Sequence, residues 1–229
     1  MSKAVEEMFT GIAGRYDRAN DVLSFGVHRR WRRRAVRASG ARPGDAILDL
    51  ATGTGDLAFA FRRKVGQQGL VVGLDFSAGL LQVAARKEGR RRSGLDLVRG
   101  DALALPVSAG RFDVASIAFG IRNVDDPARC VAEMARAVRP GGRVVILEFG
   151  TPAGFIGPAY RWYSRHVMPR LGQMVTGDRA AFEYLPRTAA AFPYGKRFEA
   201  LMRGAAAFSS VETQGLTGGV AWLYVGTLA

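Results

Sequence analysis

The run Asp49-Leu50-Ala51-Thr52-Gly53-Thr54-Gly55-Asp56 follows the apolar Ala46-Ile47-Leu48 and puts an acidic, glycine-hinged loop at the end of a buried strand. Gly53 and Gly55 permit backbone angles and a close ligand approach that a side chain would block, and the residues from Asp56 to Phe61 can begin a helix. About 20 residues past Gly55, the strand-like Leu70-Val71-Val72-Gly73-Leu74 ends in Asp75, whose carboxylate can accept hydrogen bonds from both hydroxyls of a ribose. This spacing suits a nucleoside-containing ligand.

Two classes of protein share the pattern. Gly53-x-Gly55-x-x-Ala58 also satisfies the dinucleotide fingerprint of oxidoreductases. Charge separates the two, because a pyrophosphate would be repelled by Asp49 and Asp56. S-adenosylmethionine offers a sulfonium and an ammonium beside an adenosine, and the same carboxylates attract those groups. Asp49, Gly53, Thr54, Gly55 and Asp75 are therefore expected to hold this methyl donor. The competing assignments make Asp56 a helix cap and Asp49 a solvated strand end.

A chain of 229 residues with 48% hydrophobic content supports one α/β domain with a sizeable core. Between Ala46 and Gly150 strand and helix patterns alternate, which predicts a mostly parallel sheet with helices on both faces. The expected strands are Ala46-Ala51, Leu70-Asp75, Leu95-Gly100, Phe112-Phe119 and Arg143-Phe149. A closing pair near Val211-Leu216 and Val220-Val225 is expected to form an antiparallel hairpin across Thr217-Gly218-Gly219. Asp126 as N-cap with Pro127 at the first position predicts a helix through Val138, stopped by Pro140-Gly141-Gly142. Residues 1–40 are expected to form a helical lid segment, 41–150 the cofactor-binding core, 151–195 an inserted helical cover rich in aromatics and methionine, and 196–229 a helix followed by the hairpin.

Neither a membrane-spanning run nor the apolar core of a signal peptide is found, so a cytoplasmic protein is expected. Cys130 is the single cysteine, which excludes internal disulfides and cysteine-rich metal sites. The formal charge of +13 gathers in His28-Arg29-Arg30-Trp31-Arg32-Arg33-Arg34 and in Arg86 to Arg92, on two expected helices. Solvated helix faces, nucleic acid and an anionic membrane surface would each account for it. No RNA-binding module is appended, and Trp31 and Phe25 beside the arginines would suit interfacial anchors. Peripheral contact with the inner face of the cell membrane, no nucleic-acid partner, and room for a homodimer are the resulting expectations.

The chain resembles the C-methyltransferases of menaquinone and ubiquinone biosynthesis over nearly its whole length. The resemblance is carried by Phe9 to Asn20 and Leu23 to Arg32, by Gly100-Asp101-Ala102 and Leu105-Pro106, by Ile117-Ala118-Phe119-Gly120-Ile121-Arg122-Asn123-Val124, and by Arg139 to Arg143 with Leu147-Glu148-Phe149. Val167 to Gly172, Tyr184-Leu185, Phe192-Pro193 and Leu216 to Val220 extend it to the end. It departs at Tyr224, where the family usually has histidine, and at Ala118, where many members have serine. The resemblance implies a class I, Rossmann-like fold with a seven-stranded sheet, and methyl transfer from S-adenosylmethionine to a ring carbon of a polyprenylated quinol. Demethylmenaquinol is the first candidate acceptor, in keeping with the short chain, and the benzoquinol precursor of ubiquinone is the second. A related enzyme acting on RNA or another lipid is the rival within the fold.

An aromatic carbon becomes nucleophilic when a ring hydroxyl loses its proton, so the reduced quinol is the required acceptor and no metal is needed. Arg122 and Asn123 follow the fourth strand at its carboxyl end, where open α/β sheets bind ligands. Arg122 is expected to stabilise the phenolate, Asn123 to orient the other ring oxygen, and Tyr16 to donate a hydrogen bond from a segment folded over the cofactor. The competing role for Arg122 is a salt bridge holding its loop to the cover. Asp101 is expected at the adenine amino group with the Ala102 backbone beside it, and Ala118 at the cofactor through its backbone. His166 and His28 are left outside the catalytic set, the first for want of a visible partner and the second because neighbouring arginines disfavour its protonation.

Overall fold

The computed structural model describes residues 8, 10–178 and 180–229. Residues 1–7 of the expected lid and Phe9 of the family-like block lie outside the described residues. Seven strands, β1 (Ala46–Leu50), β2 (Leu70–Asp75), β3 (Asp96–Arg99), β4 (Phe112–Ala118), β5 (Val138–Phe149), β6 (Phe208–Leu216) and β7 (Ala221–Leu228), form one sheet in the order β3-β2-β1-β4-β5-β7-β6. The first five run parallel; β7 pairs antiparallel with both β5 and β6. The strand order reverses beside β1, which opens the ligand crevice above the carboxyl ends of β1 and β4.

Near-continuous apolar runs such as Ile47-Leu48 and Val144-Val145-Ile146-Leu147 bury both faces of the central strands. Helices α1 (Tyr16–Leu23) and α2 (Val27–Ala38) belong to the N-terminal segment, α3 (Asp56–Val65), α4 (Ala78–Arg91) and α5 (Pro127–Ala137) alternate with the core strands, and α9 (Lys196–Ala205) precedes the hairpin. On one face Cys130, Val131 and Met134 of α5 and Phe198 and Met202 of α9 meet Leu48, Ile117 and Ile146. On the other, Trp31 and Ala35 of α2 and Leu57 and Phe61 of α3 meet Ile47, Val114 and Val145. Burial pushes the Cys130 thiol up to about 12, so it is an inert packing group.

The Asp126 carboxylate accepts from the Arg129 amide at 3.0 Å and Pro127 opens α5, as its sequence predicts. The far end differs. The helix stops at Ala137 and β5 begins at once with Val138, so Pro140-Gly141-Gly142 lies within the span of the strand. Val138 pairs with Phe112 across a register shift, and a Cβ at Gly142 would sit 2.5 Å from Val138 and 2.7 Å from the Asp113 carbonyl. The glycine therefore permits the irregular start of the strand.

The segment after β5 is helical: α6 (Ile156–Trp162), a π-helical turn over Tyr163–Val167, α7 (Met168–Thr176) and α8 (Ala180–Ala191). It packs on the N-terminal segment through Ile12, Ala19, Leu23, Met168 and Phe182, and the Tyr163 hydroxyl donates to the Leu23 carbonyl at 2.7 Å. No helix of the described residues is long and apolar enough to cross a membrane.

Trp31 corrects one expectation. It is 6% exposed, donates from Nε1 to Thr217 Oγ1 at 3.0 Å, and meets the rings of Phe119 and Phe149. Its spacing along α2, not its arginine neighbours, decides where it points, and it anchors that helix to the sheet instead of to a membrane. Trp31→Ala should lower unfolding free energy by about 3–5 kcal/mol, as measured by denaturant titration.

Candidate active site

Two adjoining chambers open above the carboxyl edge of the sheet. The first, about 660 Å³ counting its open mouth, lies over β1, β2 and β4 and is lined by Tyr16, Gly53, Asp75, Asp101, Ala102, Ala118 and Asn123 among others. The chain reaches it by two left-handed residues, Ala51 at φ 45° and Phe119 at φ 59°, immediately after β1 and β4. Gly120 lets these turns touch, because a Cβ there would lie 2.4 Å from that of Ala51. Non-glycine residues in this backbone region are held by surrounding structure and gather at ligand sites.

Asp75 organises the chamber. Its Oδ2 accepts from the Gly53 amide at 2.7 Å and its Oδ1 from the Ser77 amide at 2.8 Å. A carboxylate oxygen can accept more than one hydrogen bond, so a carboxylate in this wall suits a pair of ribose hydroxyls. Gly53 has φ 59°, and a Cβ there would have no neighbour nearer than the Ala51 carbonyl at 4.0 Å; it would project into the open chamber. Asp101 takes the turn-capping role, its Oδ1 accepting from the Leu103 amide at 2.9 Å, and it also lines the chamber.

Asp49, Thr54 and Gly55 do not line it. Asp49 is 1% exposed and lies beneath the loop, where Thr52 Oγ1 and Ser116 Oγ each donate to it at 2.7 Å. Thr54 turns away to donate to Asp17, and Gly55 packs against Phe59, whose ring a Cβ would approach to 2.8 Å. Asp56 is the first residue of α3 but does not cap it. It pairs with Lys87 at 3.0 Å and Arg32 at 3.6 Å, and these cations outweigh burial to lower its pKa. Among the described residues, Asp75 and Asp101, not Asp49 and Asp56, supply the carboxylates of the chamber wall. Strand-end position alone does not reveal whether a carboxylate faces the ligand or the loop below it.

The second chamber is lined by Ile12, Tyr16, Asn20, His28, Phe119, Arg122, Phe149, Phe182, Tyr184 and Leu185. Tyr16 and Phe119 belong to both walls. Phe119 stacks on Phe149 at 4.4 Å, and the Arg122 guanidinium lies 5.3 Å from the centre of the Phe149 ring. Burial raises the Tyr16 pKa, while Arg122 pulls it down. Asn123 faces the first chamber and accepts from the Tyr184 hydroxyl at 3.1 Å.

Arg122 does form a salt bridge, but its partner is Glu148 of β5, not the cover. The pair is buried, with side-chain exposures of 4% and 1%; Nη1 donates to Glu148 Oε1 at 2.7 Å and also to the Phe119 carbonyl. Nε is buried without a partner among the described residues. Glu148, Tyr184 and His28 were not assigned to the site from sequence. Glu148 carried a usable signal, a lone charge ending the apolar run Val144 to Leu147. Tyr184 and His28 come from distant segments and carry none. His166 is exposed beside Trp162 and lines neither chamber; Tyr224 is buried, and its hydroxyl accepts from the Gly195 amide at 2.7 Å.

Fold and chambers together define a class I methyltransferase. A Thermotoga maritima S-adenosylmethionine-dependent methyltransferase, described as a possible histamine N-methyltransferase, matches with a TM-score of 0.67 over 97% of this chain and 99% of that one at 21% identity. The ubiE/COQ5 methyltransferase family matches residues 1–228, and the chain belongs to that family. A ubiquinone/menaquinone biosynthesis C-methyltransferase of Bdellovibrio bacteriovorus is 45% identical over 225 residues, covering 98% of this chain and 95% of that protein. A demethylmenaquinone methyltransferase of Thermus thermophilus is 45% identical over 221 residues, covering 96% and 99%.

Burial pushes the Asp49 carboxyl up to about 6, against the opposing pull of Ser116, Thr52 and Arg32. A raised folded pKa favours the fold while the group is protonated, and that stability is lost as pH rises from about 4 through about 6. Asp49→Asn should flatten this pH dependence, removing a relative loss on the order of 2 kcal/mol between acid and neutral pH. Thermal melts of both proteins from pH 4.5 to 7.5, about the range set by the shift, check it.

Proposed function

We propose that the protein methylates a ring carbon of a polyprenylated quinol, with demethylmenaquinol as acceptor and menaquinol as product. The observation that carries this reading is the buried Arg122 Nε, a donor without a partner in the wall of an aromatic chamber that shares Tyr16 and Phe119 with the cofactor chamber. When bound, S-adenosylmethionine supplies an electrophilic methyl carbon. Gly53, Asp75, Asp101, Ala102 and Ala118 would hold it, with Asp49, Thr54 and Gly55 shaping the loop from behind.

The Phe119 and Phe149 rings accept a flat aromatic acceptor, and the Arg122 N–H faces oxygen charge as the hydroxyl ionises. Glu148 holds the guanidinium in place before any ligand arrives, so its orientation need not be established during reaction. Asn123, oriented by Tyr184, is available to the second ring oxygen, and Tyr16 closes the boundary between the chambers. Enclosure by Ile12, Phe182 and Leu185 excludes water and suits an apolar substrate. The dual name of the Bdellovibrio relative supports the benzoquinol precursor of ubiquinone as a second acceptor.

We also propose peripheral attachment to an anionic membrane at the inner face of the cell membrane. Phe25 is 79% exposed on the turn between α1 and α2, with Arg29, Arg30 and Arg33 exposed on the helix that follows. Replacing Arg30, Arg33 and Arg34 by glutamine should weaken sedimentation with anionic vesicles at low salt; equal sedimentation would remove the attachment.

Purified protein with S-adenosylmethionine should methylate a short-chain demethylmenaquinol and leave the oxidised quinone unchanged, read by mass spectrometry. RNA methylation without quinol turnover would defeat this function. Arg122→Lys keeps a cation for Glu148 but removes the Nε donor, and should lower kcat roughly 100-fold with little change in methyl-donor affinity by calorimetry.

A further inference from the structure

We infer that His28 is the base that takes the proton of the acceptor's ring hydroxyl, and that Asp21 passes it towards solvent. This assignment rests on the quinol reading above and names a residue that it left without a part. His28 sits on the first turn of α2, 4% exposed, in the wall of the aromatic chamber. Asp21 lies outside that chamber, in a basic groove that also contains Arg29, Arg33 and Lys87. The imidazole thus stands between the two spaces, with Nε2 2.9 Å from Asp21 Oδ1.

An ionised carboxylate only accepts hydrogen bonds, which places the proton on Nε2 and leaves Nδ1 as the remaining acceptor of a residue that lines the chamber. No hydrogen bond to Nδ1 occurs among the described residues. A purely structural tie between α1 and α2 does not require the ring. Arg29 already makes that tie, donating from Nε to Asp21 Oδ1 at 2.8 Å and from Nη2 to Oδ2.

The charged and titratable groups around His28 are Arg32 and Arg29 on its own helix, Asp21 on α1 and Asp56 on α3, with Arg122 and Tyr16 across the chamber. Burial and then Arg32 hold its pKa down at about 4, so the resting ring is neutral at physiological pH, and it is the negative charge left on the ring oxygen beside it that strengthens its hold on the proton during the step. In the step, the ring O–H bond breaks, its electron pair stays on oxygen, and Nδ1 takes the proton. The Nε2 proton can then move to Asp21 and on to groove water, leaving a neutral ring protonated on Nδ1, and tautomer exchange returns that proton to Nε2 before the next turnover. Arg122 faces the anion left behind.

The test compares the parent protein with His28→Gln and Asp21→Asn, using a short-chain demethylmenaquinol. At neutral pH His28→Gln should turn over roughly 100-fold more slowly, and its rate should recover with rising pH as hydroxide ionises the substrate, while the parent profile stays flat. Asp21→Asn, which leaves the imidazole in place, should show a smaller loss with the same alkaline recovery. Independently of turnover, binding of a 4-alkoxy-1-naphthol should shift the Nδ1 resonance of His28 in nitrogen NMR, as that atom accepts from the naphthol hydroxyl. Parental turnover combined with variant pH profiles of unchanged shape, or an Nδ1 resonance unmoved by the naphthol, overturns the His28 assignment alone. Absence of quinol methylation by the parent overturns the functional reading and this assignment with it.

Discussion

Three carboxylates buried at the carboxyl edge of the sheet hold the ligand-binding loops in place. Asp49 at the end of β1 gathers Thr52 and Ser116, Asp75 at the end of β2 gathers the Gly53 and Ser77 amides, and Glu148 near the end of β5 gathers the backbone and side chain of Arg122. A carboxylate removed from water is costly unless its acceptor sites are filled, so each one dictates the path of the chain that must satisfy it. The left-handed turns at Ala51 and Phe119 are tolerated within this framework. Of the three acids, only Asp75 also lines the cofactor chamber.

The division of labour explains why the two chambers differ in character. The first is made by loops following consecutive parallel strands, so its residues are close in sequence to glycines and strand ends. The second is assembled from the N-terminal segment, the loop after β4, the end of β5 and the cover. Its walls are largely aromatic, and its cation is already paired. Such an enclosure favours a flat apolar ring bearing oxygen over a charged, solvated polymer.

This difference also sets what could be read from the amino-acid sequence. The left-handed turn at Gly53 and the place of Asp75 at the end of β2 were legible because glycine freedom and a strand-end acid have local causes, and the Asp126-Pro127 start of α5 likewise depends on neighbours in sequence. Asp49 and Asp56 were misread because position along a loop does not show which way a carboxylate faces or whether distant Arg32 and Lys87 neutralise it. Trp31 was misread because its arginine neighbours occupy other faces of the same helix. The start of β5 was misplaced because a proline-glycine run that ordinarily separates elements here falls within a strand that has already started. Tyr184 and His28 depend on contacts across many residues, for which short-range pattern offers no cue.

Helix α1 is secured from several directions: Asp17 binds Thr54 and Lys87, Tyr163 binds the Leu23 carbonyl, and Arg15 just before it donates to the Thr176 carbonyl at 3.0 Å. It also supplies Tyr16 to both chambers. A single rigid wall shared in this way makes the two compartments mechanically dependent. Any tilt of that helix changes the width of both, so looseness introduced for the bulkier guest would be felt by the donor on the opposite side.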